Sequence, residues 1–159
     1  LPVRWHYIGG LQSNKASALA SYADMVHSVD RFKLVAPLAR GAAERGRVLD
    51  VLVQVSLDEP GGGGARSGIP PAELAALAAR IGESDDLRLR GLMAVAPLGE
   101  EPARAFARLV DLRERFLADH PTADVLSAGM SGDLEEAIEA GATHGRVGRA
   151  VLGSRPQFK

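Results

Sequence analysis

The sequence lacks cysteine, long apolar runs and an excess of either charge. Without cysteine there is neither a disulfide framework nor thiolate chemistry. No apolar run approaches ~18 residues and no basic segment leads into one, so neither a membrane span nor a signal peptide is predicted. Lys and Arg number 19 against 20 Asp and Glu, which argues against nucleic acid or an anionic membrane as partner. We therefore expect a cytoplasmic protein with a small-molecule partner.

The four histidines are scattered along the chain, and none has the close spacing of a zinc site. They are His6, His27, His120 and His144. Spacing alone also supports no Ser/His/Asp constellation. The sequence therefore predicts no metal site and no catalytic residue.

Strand and helix patterns alternate along the chain. At 159 residues and 46% hydrophobic, the sequence predicts one domain over residues 1–159 with a real core. Strict alternation of strands and helices favours an α/β fold with parallel strands and right-handed crossovers. Helices are predicted over residues 16–23, 32–46, 72–81 and 100–117, with a further one opened by Ser131 and Asp133. The six strand candidates are residues 5–8, 25–29, 48–57, 89–95, a short run from Asp124, and a run that carries Arg146.

Two architectures satisfy this alternation: an open doubly wound sheet, and part of an eight-stranded barrel. A phosphate site on the last two strands is typical of the barrel. Six units are two fewer than a complete barrel has.

The stretch over residues 124–155 has the features of an anion site. Ser127 and Gly129 follow one short strand, and Gly148 follows the next, so that backbone N–H groups and a hydroxyl are predicted to converge beside a helix N-terminus. Arg146 is the strand-borne cation of this stretch and stays charged at any working pH. These residues predict phosphate-binding chemistry.

A second glycine-rich segment covers residues 58–68, DEPGGGGARSG. Four consecutive glycines can suggest a phosphate cradle, but the Lys-Ser/Thr ending of a P-loop is missing. Glycine-rich tracts are ordinarily flexible connections, so we interpret this segment as a loop.

Several longer motifs resemble one known family. WHYIGGLQSNK (5–15), HSVDR (27–31), RGLMAVAP (90–97), LSAGMSGDLEEAIEAGATHGRVG (126–148) and the closing LGSR resemble the YggS-type pyridoxal phosphate homeostasis proteins, also called the PROSC family. The resemblance runs nearly end to end, with the motifs in order. It implies a (β/α)8 TIM barrel of the alanine racemase N-terminal type, of which this chain supplies the third to eighth strands, about six of eight units.

The resemblance also implies a site for pyridoxal 5′-phosphate (PLP). Arg146 is expected to face the pyridine nitrogen of this cofactor. The phosphate is expected among Ser127, Gly129 and Met130 and the backbone of Gly148 and Arg149. The residues expected near the ring, at the ends of their strands, are His6, Ile8 and Met93.

Each of these side chains also has a purely structural interpretation. His6 can be a hydrogen-bonded histidine of the core or a strand end. Met93 and Met130 can be packing residues. Ser127 can be a turn or capping residue, and Arg146 can be half of an ion pair with a neighbouring carboxylate.

The sequence departs from the family pattern at three places. The family holds its cofactor on a lysine of the first barrel strand, upstream of the WHYIG-like motif, and Lys15, Lys33 and Lys159 do not match that position. Arg149 stands where the family usually has Thr, so a cation replaces a hydroxyl. Ala128 in the SAGMS turn is a mild change, because alanine keeps the turn small.

The function implied by the resemblance is that of a non-catalytic protein that buffers or delivers PLP. Its expected partners are PLP and PLP-dependent apoenzymes, and we expect a monomer in the full-length form. One alternative is a PLP-dependent racemase or decarboxylase, which would need the missing lysine and an acid/base such as Tyr7 or Tyr22; neither tyrosine sits in a recognisable site. The other is a truncated chain that no longer binds PLP covalently.

Overall fold

The computed structural model describes residues 2–58 and 68–153. Within these ranges, five strands form one sheet in which every pair of neighbours is parallel. The spatial order β1-β2-β3-β4-β5 follows the chain, as it does in the wall of a β/α barrel. The strands are β1 His6–Tyr7, β2 Met25–Val29, β3 Leu49–Gln54, β4 Leu87–Met93 and β5 Val125–Ser127.

Helices follow the strands, as the alternation predicts. Short 3-10 turns at Ser13–Lys15, Phe32–Leu34 and Pro71–Glu73 lead into the first three. The helices are α1 Ala16–Ala20, α2 Val35–Arg45, α3 Leu74–Gly82, α4 Pro102–Asp119, α5 Leu134–Glu139 and α6 Arg149–Leu152.

The ends of α2 follow from its sequence. Pro37 lies in the first turn, where the missing N–H has no helical partner to lose. The buried positions include Val35, Leu38 and Ala42, which recur at helical spacing. The helix ends at Gly46, whose φ of 69° is left-handed and suits glycine. The segment is therefore one amphipathic helix, with Pro37 in its first turn.

The sheet buries two separate groups of apolar side chains. The larger core cluster joins strand and helix residues, among them Val26, Val51, Leu77 and Phe106. The second cluster consists of strand residues on the other face of the sheet: Met25, Leu52, Met93 and Val125. By the two-residue period of a strand, that second face, the inner face, also carries the buried polar residues His27, Asp50, Gln54 and Ser127.

The predicted sixth strand is corrected by the structure. The segment before Arg146 makes a single parallel bridge, Ser127 with His144, and is not a strand. Its backbone does follow β5, because Thr143 and His144 donate to the Leu126 carbonyl and Arg146 donates to that of Gly129. Glycines at 145 and 148 explain why regular pairing stops there.

Two further predictions concern the glycine-rich segment and membrane-spanning helices. Residues 59–67, most of the glycine-rich segment, lie outside the described residues, so its interpretation as a loop stays a prediction. Among the helices in the described ranges, none is long and apolar enough to cross a membrane.

Candidate functional site

A cavity opens at the carboxyl ends of β4 and β5. Its volume is about 470 Å³, within the range of small-molecule pockets. Three segments line it: the loop after β4 (96–100, with Pro102), the turn after β5 (130–133), and the residues at the start of α6 (146, 148 and 149). In a parallel β/α wall, this is the edge at which functional loops meet.

Arg146 brings a half-buried cation to this cavity. Its Nη1 donates to the Ser127 hydroxyl at 2.9 Å, and its Nη2 donates to the Ala94 carbonyl at 2.9 Å. Both partners are neutral, and within the described ranges no carboxylate lies within ion-pairing distance of Arg146. Burial lowers the pKa of Arg146, opposed by the charge of Asp133, yet a guanidinium remains protonated in proteins. Within the described ranges, the charge of Arg146 is therefore not neutralised by an ion pair.

Some of the residues that line the cavity have backbone N–H groups that are unpaired in the described part of the chain. Those of Ser131, Gly148 and Arg149 have no hydrogen-bond partner among the residues that the structure describes. The Met130 N–H donates to the Asp133 carboxylate at 2.7 Å, which orders the turn before α5. Arg149 adds an exposed second cation. Unpaired N–H groups beside cations suit an anionic oxygen ligand such as a phosphate.

Gly129 sets the path of the turn between β5 and α5. Its φ of 87° is left-handed, and a Cβ built on it would lie 2.6 Å from the Ala137 side chain. Its carbonyl accepts the Arg146 N–H at 2.9 Å. A glycine is therefore required here, because it lets the turn pack on α5 while holding the Arg146 backbone.

Behind Arg146, three histidine rings meet on the inner face. The ring centroids of His6, His27 and His144 lie 5.1–6.0 Å apart. His27 Nδ1 lies 2.8 Å from the Ser127 hydroxyl, and His27 Nε2 lies 3.0 Å from His6 Nδ1. Burial, followed by the charges of His6, His144 and Arg146, lowers the pKa of His27 to about 3. His27 is therefore neutral near neutral pH.

The pKa of His6 is also lowered, chiefly by burial and then by His144 and Arg4. Despite the three rings, the described part of the chain contains no group of three or more His, Asp or Glu side chains arranged to hold a metal ion. The ring nitrogens of His6 and His27 bind each other and Ser127 instead.

The nine residues predicted for the site fall into two groups. Met130, Arg146, Gly148 and Arg149 line the cavity together. The other five are not among the lining residues. Ser127 and Gly129 bind Arg146, and His6 is linked to Ser127 through two further hydrogen bonds. Met93 packs in the inner apolar cluster, and Ile8 is 48% exposed. Their roles toward a cofactor stay predictions.

Sequence reasoning missed two sets of residues. Ser131 and Asp133 line the cavity, although their sequence position indicated only the start of a helix. His27 was not singled out, yet it is 2% exposed within β2. The available signal was a histidine inside a five-residue strand that is apolar at Met25, Val26 and Val29, because a buried polar side chain needs partners.

The lysines of the described residues lie away from the cavity. Lys15 ends the 3-10 turn before α1, and Lys33 lies in the turn before α2; both are exposed. Lys159 lies outside the described residues. Neither described lysine is among the residues that line the cavity.

Comparison with known proteins gives consistent matches. The sequence model described as "Alanine racemase, N-terminal domain" matches residues 2–156. The pyridoxal phosphate homeostasis protein of Mycobacterium bovis is 44% identical over 159 residues, covering 96% of this chain. The structure of PipY of Synechococcus elongatus with PLP bound matches with a TM-score of 0.83 and 35% identity, over 96% of this chain and 72% of that one.

A more distant match concerns the fold alone. Alanine racemase of Clostridium difficile has a TM-score of 0.74 at 13% identity, over 99% of this chain and 41% of that one. It confirms the prediction of an α/β barrel of the alanine racemase N-terminal type, with five strands described rather than six. The chain spans 62% of the length of the Mycobacterium bovis relative.

Proposed function

The chain belongs to the family of the alanine racemase N-terminal domain, within the group of the pyridoxal phosphate homeostasis proteins, and on this premise we propose that it binds PLP in the Arg146 cavity and buffers or delivers it. The observation that carries the proposal is Arg146 itself. It is a half-buried cation with two neutral partners, and it lines the cavity together with residues whose backbone N–H groups have no partner in the described part of the chain. Such a site favours a small ligand with a phosphate and a hydrogen-bond acceptor.

The cavity offers separate groups for the two ends of such a ligand. The N–H groups of Ser131, Gly148 and Arg149, with the Arg149 cation, suit the phosphate. Arg146 suits a ring nitrogen that accepts a hydrogen bond. Ser127 then supports Arg146 rather than contacting the phosphate, since its hydroxyl is already bonded to Arg146 and His27.

The choice of arginine bears on turnover. When bound, PLP supplies an electron sink for carbanion chemistry. A guanidinium has no acidic proton to give near neutral pH, so Arg146 leaves a ring nitrogen unprotonated and the sink weak. This supports a carrier rather than a racemase or decarboxylase. Tyr7 supports the same view, because its hydroxyl is directed to the Gly10 carbonyl.

Equilibrium dialysis against PLP, pyridoxal and inorganic phosphate tests the proposal. We expect PLP to bind more tightly than either fragment. Arg146→Ala should weaken PLP binding by about tenfold to a hundredfold, since hydrogen bonds to charged groups contribute about 1.5–3 kcal/mol. The matched control is Arg40→Ala, an exposed arginine of α2. Equal PLP affinity in the Arg146→Ala variant and the wild type would overturn the proposal.

Two further readouts separate the alternatives. Borohydride reduction followed by intact mass reports whether any lysine of this chain forms a covalent adduct, and we expect none on Lys15 or Lys33. Incubation of the PLP-loaded chain with amino acids should give no racemisation or decarboxylation. Turnover would instead favour the enzyme alternative.

A further inference from the structure

Four side chains form a continuous hydrogen-bonded line from the cavity to β1. Arg146 Nη1 lies 2.9 Å from Ser127 Oγ, Ser127 Oγ lies 2.8 Å from His27 Nδ1, and His27 Nε2 lies 3.0 Å from His6 Nδ1. Ser127 is 0% exposed and His27 2% exposed, so bulk water does not substitute for these contacts. We call this line the Arg146–His6 relay.

The direction of the first bonds follows from the chemistry of arginine. A guanidinium only donates, so the Ser127 oxygen accepts from Arg146. The Ser127 O–H then needs an acceptor, and in the described ranges the one within reach is His27 Nδ1. The reverse arrangement would leave a hydroxyl hydrogen unpaired in the interior, which disfavours it by roughly tenfold to a hundredfold.

The remaining bonds are then determined. His27, which is neutral, accepts at Nδ1 and therefore carries its hydrogen on Nε2. That hydrogen is donated to His6 Nδ1, so a neutral His6 carries its own hydrogen on Nε2. His6 Nε2 has no further partner among the described residues and is the free end of the relay.

We propose that Ser127 and His27 are positioning residues, which hold Arg146 from behind and fix His6 as the tautomer protonated on Nε2. His6 then has no free lone pair: Nδ1 is occupied and Nε2 is a donor. The relay ends in two donors, the guanidinium and one imidazole N–H, and provides no general base. A site without a base binds an acceptor-rich cofactor without moving its protons. The inference rests on the proposed function for the identity of that cofactor.

Long-range 1H–15N correlation spectra of the imidazole rings test the relay without any ligand. In the wild type near neutral pH, we expect His6 and His27 to carry a hydrogen on Nε2 and none on Nδ1. His120, whose ring lies tilted against that of Phe116 at the end of α4, is an internal reference outside the relay. A hydrogen on Nδ1 of either His6 or His27 would overturn the proposal.

Ser127 variants test the cause of this tautomer. Ser127→Thr keeps the hydroxyl and should keep both tautomers, whereas Ser127→Ala should give His27 and His6 as tautomer mixtures. Unchanged tautomers in a folded Ser127→Ala protein would show that Ser127 does not set them. If that variant fails to fold, the wild-type spectrum alone still decides the assignment.

PLP dialysis on the same variants separates this inference from the proposed function. We expect Ser127→Ala to weaken PLP binding by about tenfold through Arg146, and Ser127→Thr to bind nearly as the wild type does. Absence of PLP binding by the wild type would defeat the proposed function, while the spectra would still decide the relay. Unchanged PLP binding in Ser127→Ala would remove the positioning role.

Discussion

Gly91 of β4 lies so close to Val125 of β5 that a Cβ atom built on it would stand 1.8 Å from the Val125 carbonyl oxygen. The two residues are register partners, and Gly91 has a φ of 148°. The glycine within the predicted strand therefore marks a close approach of two backbones. It lets β5 pair with β4 and so supports the strand that carries Ser127.

Gly91→Ala should separate these strands and reduce stability strongly. We expect the free energy of unfolding, measured by urea denaturation, to fall by about 3 kcal/mol or more. This is a large effect for a single substitution. Gly82→Ala is the matched control, because a Cβ at this helical position meets open space. It should be neutral or stabilising by up to about 1 kcal/mol. Similar losses for the two variants would contradict the steric explanation.

Asp50 and Arg88 form an ion pair whose two members differ in burial. Asp50 is 4% exposed and accepts a hydrogen bond from Arg88 Nε at 2.6 Å, whereas the Arg88 side chain is 58% exposed. A second cation, Arg4, has its Nη2 3.6 Å from Asp50 Oδ2. The hydrogen bond to Asp50 raises the pKa of Arg88. Removing Arg88 takes the closer of these two cations from a buried carboxylate, whereas removing the carboxylate releases a cation to water.

Truncation of this pair should therefore be asymmetric. We expect Arg88→Ala to lower the free energy of unfolding by about 1–3 kcal/mol and Asp50→Asn by about 1 kcal/mol or less. Urea denaturation of both variants measures the difference. A larger loss in Asp50→Asn than in Arg88→Ala would reverse the assignment.

His27 should make stability fall in mild acid. Its pKa is about 3 in the folded chain against 6.5 ordinarily, so between these values the unfolded chain binds one more proton than the folded one. Stability then rises with pH across this window, and it is lost as the pH falls below 6.5, at up to about 1.4 kcal/mol per pH unit. Above that pH this contribution is constant.

Urea denaturation at several pH values between 4 and 8 checks this slope. His27→Gln, which cannot take up the proton, should show a shallower dependence than the wild type. His120→Gln is the matched control for replacing a histidine outside the relay. Identical slopes for wild type and His27→Gln would mean that other groups dominate the acid response.

The sequence was informative where the signal is local. Apolar runs predicted β2 and β3, and the apolar stripe over residues 100–117 predicted α4. The Ser127 to Gly148 stretch predicted an anion site, and a cavity lined by Arg146 lies there, while anion binding stays a prediction. Arg146 could be singled out because a cation in a small-residue segment has few structural uses. These features depend on residues a few positions apart.

The relay could not be predicted in the same way. Ser127 and His27 are 100 positions apart, and their contact depends on the curvature of the sheet and on which strand residues face inward. The register shift between Val26 and Val29 alters the alternation in β2, and the segment after His144, which contains glycines, makes one bridge and forms no strand. Neither irregularity has a clear periodic signature.

Arg149 and Arg146 should differ in how salt changes their effect on PLP binding. Arg149 is an exposed cation at the start of α6, and the Debye length shrinks from ~10 Å at 0.1 M salt to ~3 Å at 1 M, which screens such a charge. Arg146 is half-buried and acts through directed hydrogen bonds, which salt screens less. Salt should therefore distinguish the long-range attraction of an anion by Arg149 from the directed hydrogen bonds of Arg146.

We expect Arg149→Thr, which substitutes a hydroxyl for the cation, to weaken PLP binding by about two- to fivefold at low salt, since an exposed charge contributes up to about 1 kcal/mol. The difference from the wild type should vanish near 1 M salt, while the loss in Arg146→Ala should persist. Dialysis across a salt series with each variant measures both. If the Arg149→Thr deficit persisted at high salt, the Arg149 guanidinium would have to contact the phosphate directly rather than attract it from a distance.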